Sequence, residues 1–205
     1  MLIASHASQP RVAASARIAS TAVVSGDVSI GENCWVGHGA VLVAEGGPIR
    51  IGANCVVMDT AVIRGVPGQA TSLGDNVLVG PRAYLVGCDV GDNVFLATGA
   101  TVFNGARIGA GSEVRINGVV HLKTVLPPDA MVPIGWVAVG DPALIRPASD
   151  HDGIWEVQKT LNFPGVVFRT ERPAPGQSMM PQVMPRYAAA LRRMHAADRD
   201  LHAES

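Results

Sequence analysis

Residues 12–42 read VAASARIASTAVVSGDVSIGENCWVGHGAVL, and in them Val12, Ile18, Val24, Ile30, Val36 and Leu42 stand six apart. The spacing resumes as Ile51, Val57, Ile63, then Leu73, Val79, Leu85, and after a five-residue step as Val90, Leu96, Val102, Ile108, Val114, Val120. Six residues fit neither a helix of about 3.6 residues per turn nor the two-residue alternation of a flat strand. They fit a short strand and a sharp turn, repeated as one side of a coil. Three such sides close one turn of a β-solenoid, with the large aliphatic pointing inward onto its equivalent in the next coil. Two places earlier stand mostly small residues, among them Ala22, Cys34, Ala40, Cys55, Ala61, Ala83, Ala100 and Ala106, which suit a tight corner. Gly31, Gly37, Gly52, Gly74, Gly80, Gly91 and Gly109, each just after the aliphatic, suit the turn.

The period breaks twice. Extra residues enter between Leu42 and Ile51, within 44–48, and between Ile63 and Leu73, within 65–69; both inserts are rich in Gly and Pro. A solenoid accepts extra residues only by looping them outward at a corner. Past Val120 the pattern decays through Leu126-Pro127-Pro128 and Gly135-Trp136 to Gly140-Asp141-Pro142, so the repeat domain is expected over 1–145. A C-terminal extension, 146–205, is built differently. Ser149 or Asp150 caps a short helix carrying Ile154, Trp155, Gln158 and Leu161, ended by Asn162-Phe163-Pro164-Gly165. A linker from Arg172 to Pro181 leads to an amphipathic helix from Pro185 onward, with Tyr187, Ala188, Leu191 and Met194 on one side and arginines on the others. Its apolar stripe is expected along the solenoid or a neighbouring subunit.

Aromatic residues make up 4% of the 205 residues, as a narrow coil interior filled by Val and Ile requires. A net charge of −1 gives no electrostatic reason to expect nucleic acid or an acidic membrane as partner. Met1 to Pro10 holds no basic stretch followed by an apolar run, and no segment approaches the roughly 18 apolar residues of a membrane span. A cytoplasmic location is the expectation. Of three cysteines, Cys34 and Cys55 sit at corner positions and read as packing.

Several stretches together resemble one family. Residues 39–42 and 48–54, then Asp59-Thr60-Ala61-Val62-Ile63, Leu85-Val86-Gly87-Cys88-Asp89-Val90-Gly91 and Gly140-Asp141-Pro142-Ala143 are similar to the γ-class carbonic anhydrases, which are hexapeptide-repeat, left-handed β-helix proteins. The likeness covers roughly 20–145. It implies a left-handed parallel β-helix followed by a C-terminal α-helical segment, assembled as a homotrimer with sites in the clefts between subunits.

The three metal-binding histidines implied by that resemblance are replaced here by Arg64, Pro81 and Val86. Arginine stays protonated, and proline and valine side chains carry no donor atom, so this set cannot hold zinc. Without zinc no bound water has its pKa lowered to about 7, and carbon dioxide hydration loses its nucleophile. Other family positions depart as well: Val43-Ala44-Glu45 stands for an Arg-Gly-Asp segment and Met58 for a glutamine. The resemblance places Arg64 in the subunit cleft near Glu45 and Asp59. There it either forms an ion pair with a carboxylate across the interface or, with Arg82 and Tyr84, binds the carboxylate or phosphate of a small ligand.

His38 is expected exposed; His121, beside the last regular rung and close to Arg115 and Asn117, is the histidine best placed to act as a base. His6, His151, His195 and His202 fall in terminal or appended segments, and no nucleophile elbow, phosphate loop or Cys-x-x-Cys pair is present. The function expected is that of a metal-free small-molecule protein of the hexapeptide transferase type, without a resident cofactor, with an acyl-CoA as possible co-substrate. The alternative is a non-catalytic trimeric scaffold or ligand-binding protein.

Overall fold

A computed structural model describes residues 1–5 and 8–201, so His6 and His202 lie outside the described residues. The chain winds a left-handed parallel β-helix of about eight turns, followed by helices. Each coil contributes one short strand to each of three faces. The first face holds Leu2–Ala4, Val23–Ser25, Val41–Ala44, Val62–Gly65, Tyr84–Val86, Thr101–Val102, Val119–Val120 and Trp136–Val139, stacked in parallel. The second face runs from Arg11–Val12 to Val125–Leu126, and the third from Arg17–Ile18 to Met131–Val132.

The six-residue aliphatics are the core. Leu42, Ile63, Leu85, Val102 and Val120, successive rungs of the first face, are wholly buried, and each such side chain contributes about 1.5–3 kcal/mol by leaving water. The small residues two places earlier are buried at the corners, where Cys34 and Cys55 give their thiol hydrogens to Gly52 O and Gly74 O of the next coil, each at 3.1 Å.

The glycines after the aliphatics serve a different purpose from the one the sequence suggested. None of the seven has a positive φ. At Gly31 an added Cβ would lie 2.5 Å from Gly52 O of the coil above, so glycine is required by close approach of backbones. The left-handed conformation falls two residues later, on Asn33, Asn54, Asn76 and Asn93 along one corner. Asparagine tolerates that region, and the amides stack, with Asn33 Nδ2 donating to Asn54 Oδ1 at 3.3 Å and Asn76 Nδ2 to Asn93 Oδ1 at 3.1 Å. The recurring asparagine was a legible signal that the glycine reading passed over.

The two inserts leave the same corner, between the first and second faces, on adjacent coils. Val66 and Gln69 close the second insert as a tight antiparallel bridge, and Gly46 lies against Pro67. After Trp136–Val139 the chain reverses, and Leu144–Pro147 pairs antiparallel with that last rung.

Three helices follow: α1 (His151–Gln158), capped by Asp150 whose Oδ1 accepts from Gly153 N at 3.1 Å; α2 (Phe163–Phe168); and α3 (Met180–Met194). Two expectations are corrected here. Phe163-Pro164-Gly165 was expected to end a helix but opens α2, because Pro164 in the first turn lacks an N–H that would have no partner there. The last helix was expected from Pro185 but starts at Met180, with Pro181 in its first turn and Pro185 in its interior. Beyond α3, Arg199–Asp200 returns to pair antiparallel with Leu2–Ala4. Among the described residues no helix is long and apolar enough to cross a membrane.

Candidate functional site

Outward-facing residues of the first face form a column one place after the buried aliphatics. Val43, Arg64 and Val86 are register partners on three successive coils, and Phe103 and His121 continue the column, their rings 5.9 Å apart. Two of the three positions that correspond to family metal ligands, Arg64 and Val86, are therefore neighbours. The third, Pro81, lies at the opposite corner, between the third and first faces.

Helices α2 and α3 of the same chain cover this column and enclose a chamber of about 560 Å³. Its floor is Glu45, Arg64, Tyr84, Val86, Phe103 and Asn104; Gln69 of the second insert closes one side and accepts from Asn104 Nδ2 at 2.8 Å. Its roof includes Val167, Phe168, Tyr187, Leu191 and Met194, with Phe168 and Tyr187 packed edge to face at 6.2 Å. Val183 of α3 is buried against it, whereas Ala188, expected on the apolar side, is exposed.

At the floor Arg64 pairs with Glu45, their side chains 24% and 12% exposed. Burial works against the charge on Arg64, but the bond to Glu45, with Tyr84 and Tyr187 adding to it, outweighs that cost and pushes the guanidinium pKa up. Glu45 is shared: His195, just past α3, places Nε2 3.5 Å from Glu45 Oε1, while its Nδ1 lies 2.8 Å from Asp198 Oδ2. The pKa of His195 is raised, first by Asp198, against burial, and then by Glu45. The strand under Arg64 is held as well, since Thr71 Oγ1 donates to Arg64 O at 2.6 Å and accepts from Gly87 N at 2.8 Å.

The expected site residues thus divide. Arg64, Glu45, Tyr84 and Val86 meet in the chamber. Asp59 and Arg82 stack on each other at the third–first corner with Pro81, where Asp59 Oδ1 accepts from His38 N at 2.7 Å; none of the three lines the chamber. Asp59 was expected near Arg64, but within one chain the width of the first face separates them. His38 is exposed, as expected. His121 lines a second, more open cavity of about 710 Å³ with Trp155, Phe163 and Arg172, and Phe163 belongs to both cavities. The Nδ1 of His121 is buried with no partner among the described residues, and burial pushes its pKa down. Arg115, expected beside it, pairs with Glu113. His195 was not singled out in the sequence, where nothing marks a residue beyond α3 as reaching Glu45 on the third coil.

Buried thiols are unsuited to nucleophilic work: burial pushes Cys88 up to about 12 and Cys55 up to about 11. Among the described residues no cluster of three or more His, Cys, Asp or Glu side chains could hold a metal ion. The zinc implied by the family resemblance does not fit the chamber floor, where a protonated guanidinium already bound to Glu45 and a buried valine side chain stand at two ligand positions.

The model of the hexapeptide repeat of succinyl-transferase matches residues 27–58 and 70–104. Mitochondrial γ carbonic anhydrase 2 of Arabidopsis thaliana is 29% identical over 153 residues, covering 71% of this chain and 53% of the plant protein. The chain carries hexapeptide repeats over 27–58 and 70–104 and is similar to the γ carbonic anhydrases. It spans about half the length of the plant relatives it matches. The carbonic anhydrase of Geobacillus kaustophilus is 27% identical over 150 residues, covering 73% of this chain and 79% of that one. Among solved structures, a Bacillus cereus protein assigned as an acetyltransferase is 26% identical, with a TM-score of 0.61 over 78% of this chain and 91% of its own. The names of these relatives thus carry two assignments, carbonic anhydrase and acetyltransferase.

Proposed function

We propose that this γ-carbonic anhydrase-like chain works without a metal and uses the chamber to bind a small acyl compound, as a transferase or as a ligand-binding protein. One observation carries the reading. A largely apolar cavity of about 560 Å³, within the range of about 300–1,000 Å³ usual for small-molecule sites, lies over the residues that stand at two family ligand positions. The similarity to the Bacillus cereus acetyltransferase-type structure supports an acyl thioester as co-substrate. His121, in the second cavity that meets the chamber at Phe163, is the base on offer: with the acceptor bound there and the thioester carbonyl reaching past Phe163, a neutral imidazole would take the proton of the acceptor hydroxyl or amine as it attacks that carbonyl, and the C–S bond would break with thiolate leaving.

Melting in the presence of acetyl-CoA tests this. A ligand that binds only the folded state at a hundredfold excess over Kd stabilises it by about 2.7 kcal/mol, roughly 5–10 °C for a chain of this size. Metal analysis of protein purified without chelator should find well under one zinc per chain. No shift with any acyl compound, or stoichiometric zinc, would sink the reading.

A second reading, assembly, rests on the third face. Trp35, Val56, Leu78 and Phe95 form a continuous outward ladder in register, and Trp35, Leu78 and Phe95 are 39%, 36% and 41% exposed. A contiguous apolar stripe marks an interaction surface, and packing between identical solenoids in a cyclic homotrimer would cover it. We place this protein in the cytoplasm, where its free thiols stay reduced. Leu78→Glu, in the middle of the ladder, should turn a trimeric mass in solution into a monomeric one; a monomeric parent protein would remove the reading.

A further inference from the structure

The chamber's charges are unevenly placed. At the floor Arg64 is already matched by Glu45, with His195 on the far side of the same carboxylate. A second anion there would face Glu45 and gain little from a guanidinium already engaged. At the mouth stand Arg169, which ends α2, and Arg186 of α3, both exposed and both lining the chamber. Arg186 Nε donates to Gln182 O at 3.1 Å, and among the described residues neither guanidinium forms an ion pair. The apolar lining is Val86 and Phe103 of the floor and Val167 and Leu191 of the roof. Native interiors hold few voids larger than a water molecule, and an apolar void stays dry and takes apolar guests. A space this large between helices and sheet is a container.

We propose that the chamber binds a single-chain amphipathic anion, a medium-chain acyl carboxylate or the acyl group of a larger anionic carrier, with the tail inside and the charged head at Arg169 and Arg186. This rests on the reading of the chamber as a ligand site and adds the substrate class: chains of several methylenes in place of acetyl, held by apolar burial, with the charge recognised at the rim and not at Arg64.

The test is calorimetric titration of the full chain with butanoate, hexanoate, octanoate and decanoate below their micelle concentrations, with decylamine and a neutral alcohol as controls. Each added methylene should tighten binding about fourfold until the chamber is full, with one guest per chain. Decylamine should bind at least tenfold more weakly than decanoate. Arg169→Gln and Arg186→Gln, both on the surface, should each weaken decanoate five- to tenfold while leaving the melting temperature in place. Leu191→Trp should fill the chamber and abolish binding, and Leu191→Ala, with more room, should retain it if the packing variant misfolds. Affinity independent of chain length while acetyl-CoA still stabilises the protein would overturn the acyl-tail inference and leave the broader reading standing. Failure of both would remove both. Sedimentation with phosphatidylglycerol vesicles but no binding of monomeric decanoate would also overturn it, since the guest would then be a lipid surface.

Discussion

Arg64 and Glu45 are worth more as a pair than either is alone. Removing one member leaves the other charge largely buried, and such an orphan costs roughly 1–3 kcal/mol. Arg64→Ala should therefore lower stability in urea by about 2 kcal/mol, and the double change Arg64→Leu with Glu45→Leu should be milder than the sum of the single changes. The two histidines at the chambers oppose each other in pH. His195 has its pKa raised above 6.5, so its contribution is full below that value and is lost as pH rises through the folded-state pKa. His121 has its pKa lowered from 6.5, so its contribution is present above that value and is lost as pH falls through the folded-state pKa. Melting temperature against pH should form a plateau around 6.5; His195→Gln should flatten the alkaline side and His121→Phe the acid side. Arg64 and Glu45 were both legible because the family resemblance, carried on the regular repeat, implied that they stand together. His195 was not, because its place depends on the path of α2 and α3, which no repeat dictates.

At the scale of turns and helices, two kinds of glycine separate. Gly68, with φ +82 and nothing within 4 Å of a Cβ, would accept alanine at the cost of a strained backbone alone, about 1 kcal/mol. Gly31 has ordinary φ but no room, and alanine there would push adjacent coils apart. Calorimetric melting should place Gly31→Ala well below Gly68→Ala. The solenoid was readable because each coil repeats the same demands: aliphatic inward, small residue at the corner, glycine where backbones touch. Helix α3 was harder. Pro185 reads as a helix start, yet its missing N–H falls opposite the Pro181 carbonyl inside the helix. Packing of Val183, Tyr187 and Leu191 on the first face overrides that preference. Pro185→Ala should raise helicity and stabilise the chain by up to about 3 kcal/mol, measurable by circular dichroism and urea melting.

A stack of coils in which each touches only its neighbours would fray from its ends. In this molecule the first sheet has no free end rung: Leu144–Pro147 covers the last and Arg199–Asp200 the first. The pairing of Arg199–Asp200 with Leu2–Ala4 is reached only by way of α3, which roofs the chamber over the middle coils. Release of the first coil and lifting of the roof are therefore expected to be coupled. Amides that hold the first rung in place, such as Val24 N on Met1 O at 3.0 Å, should exchange with solvent deuterium at the same rate as those of α3, and a guest in the chamber should slow both together although it touches only one.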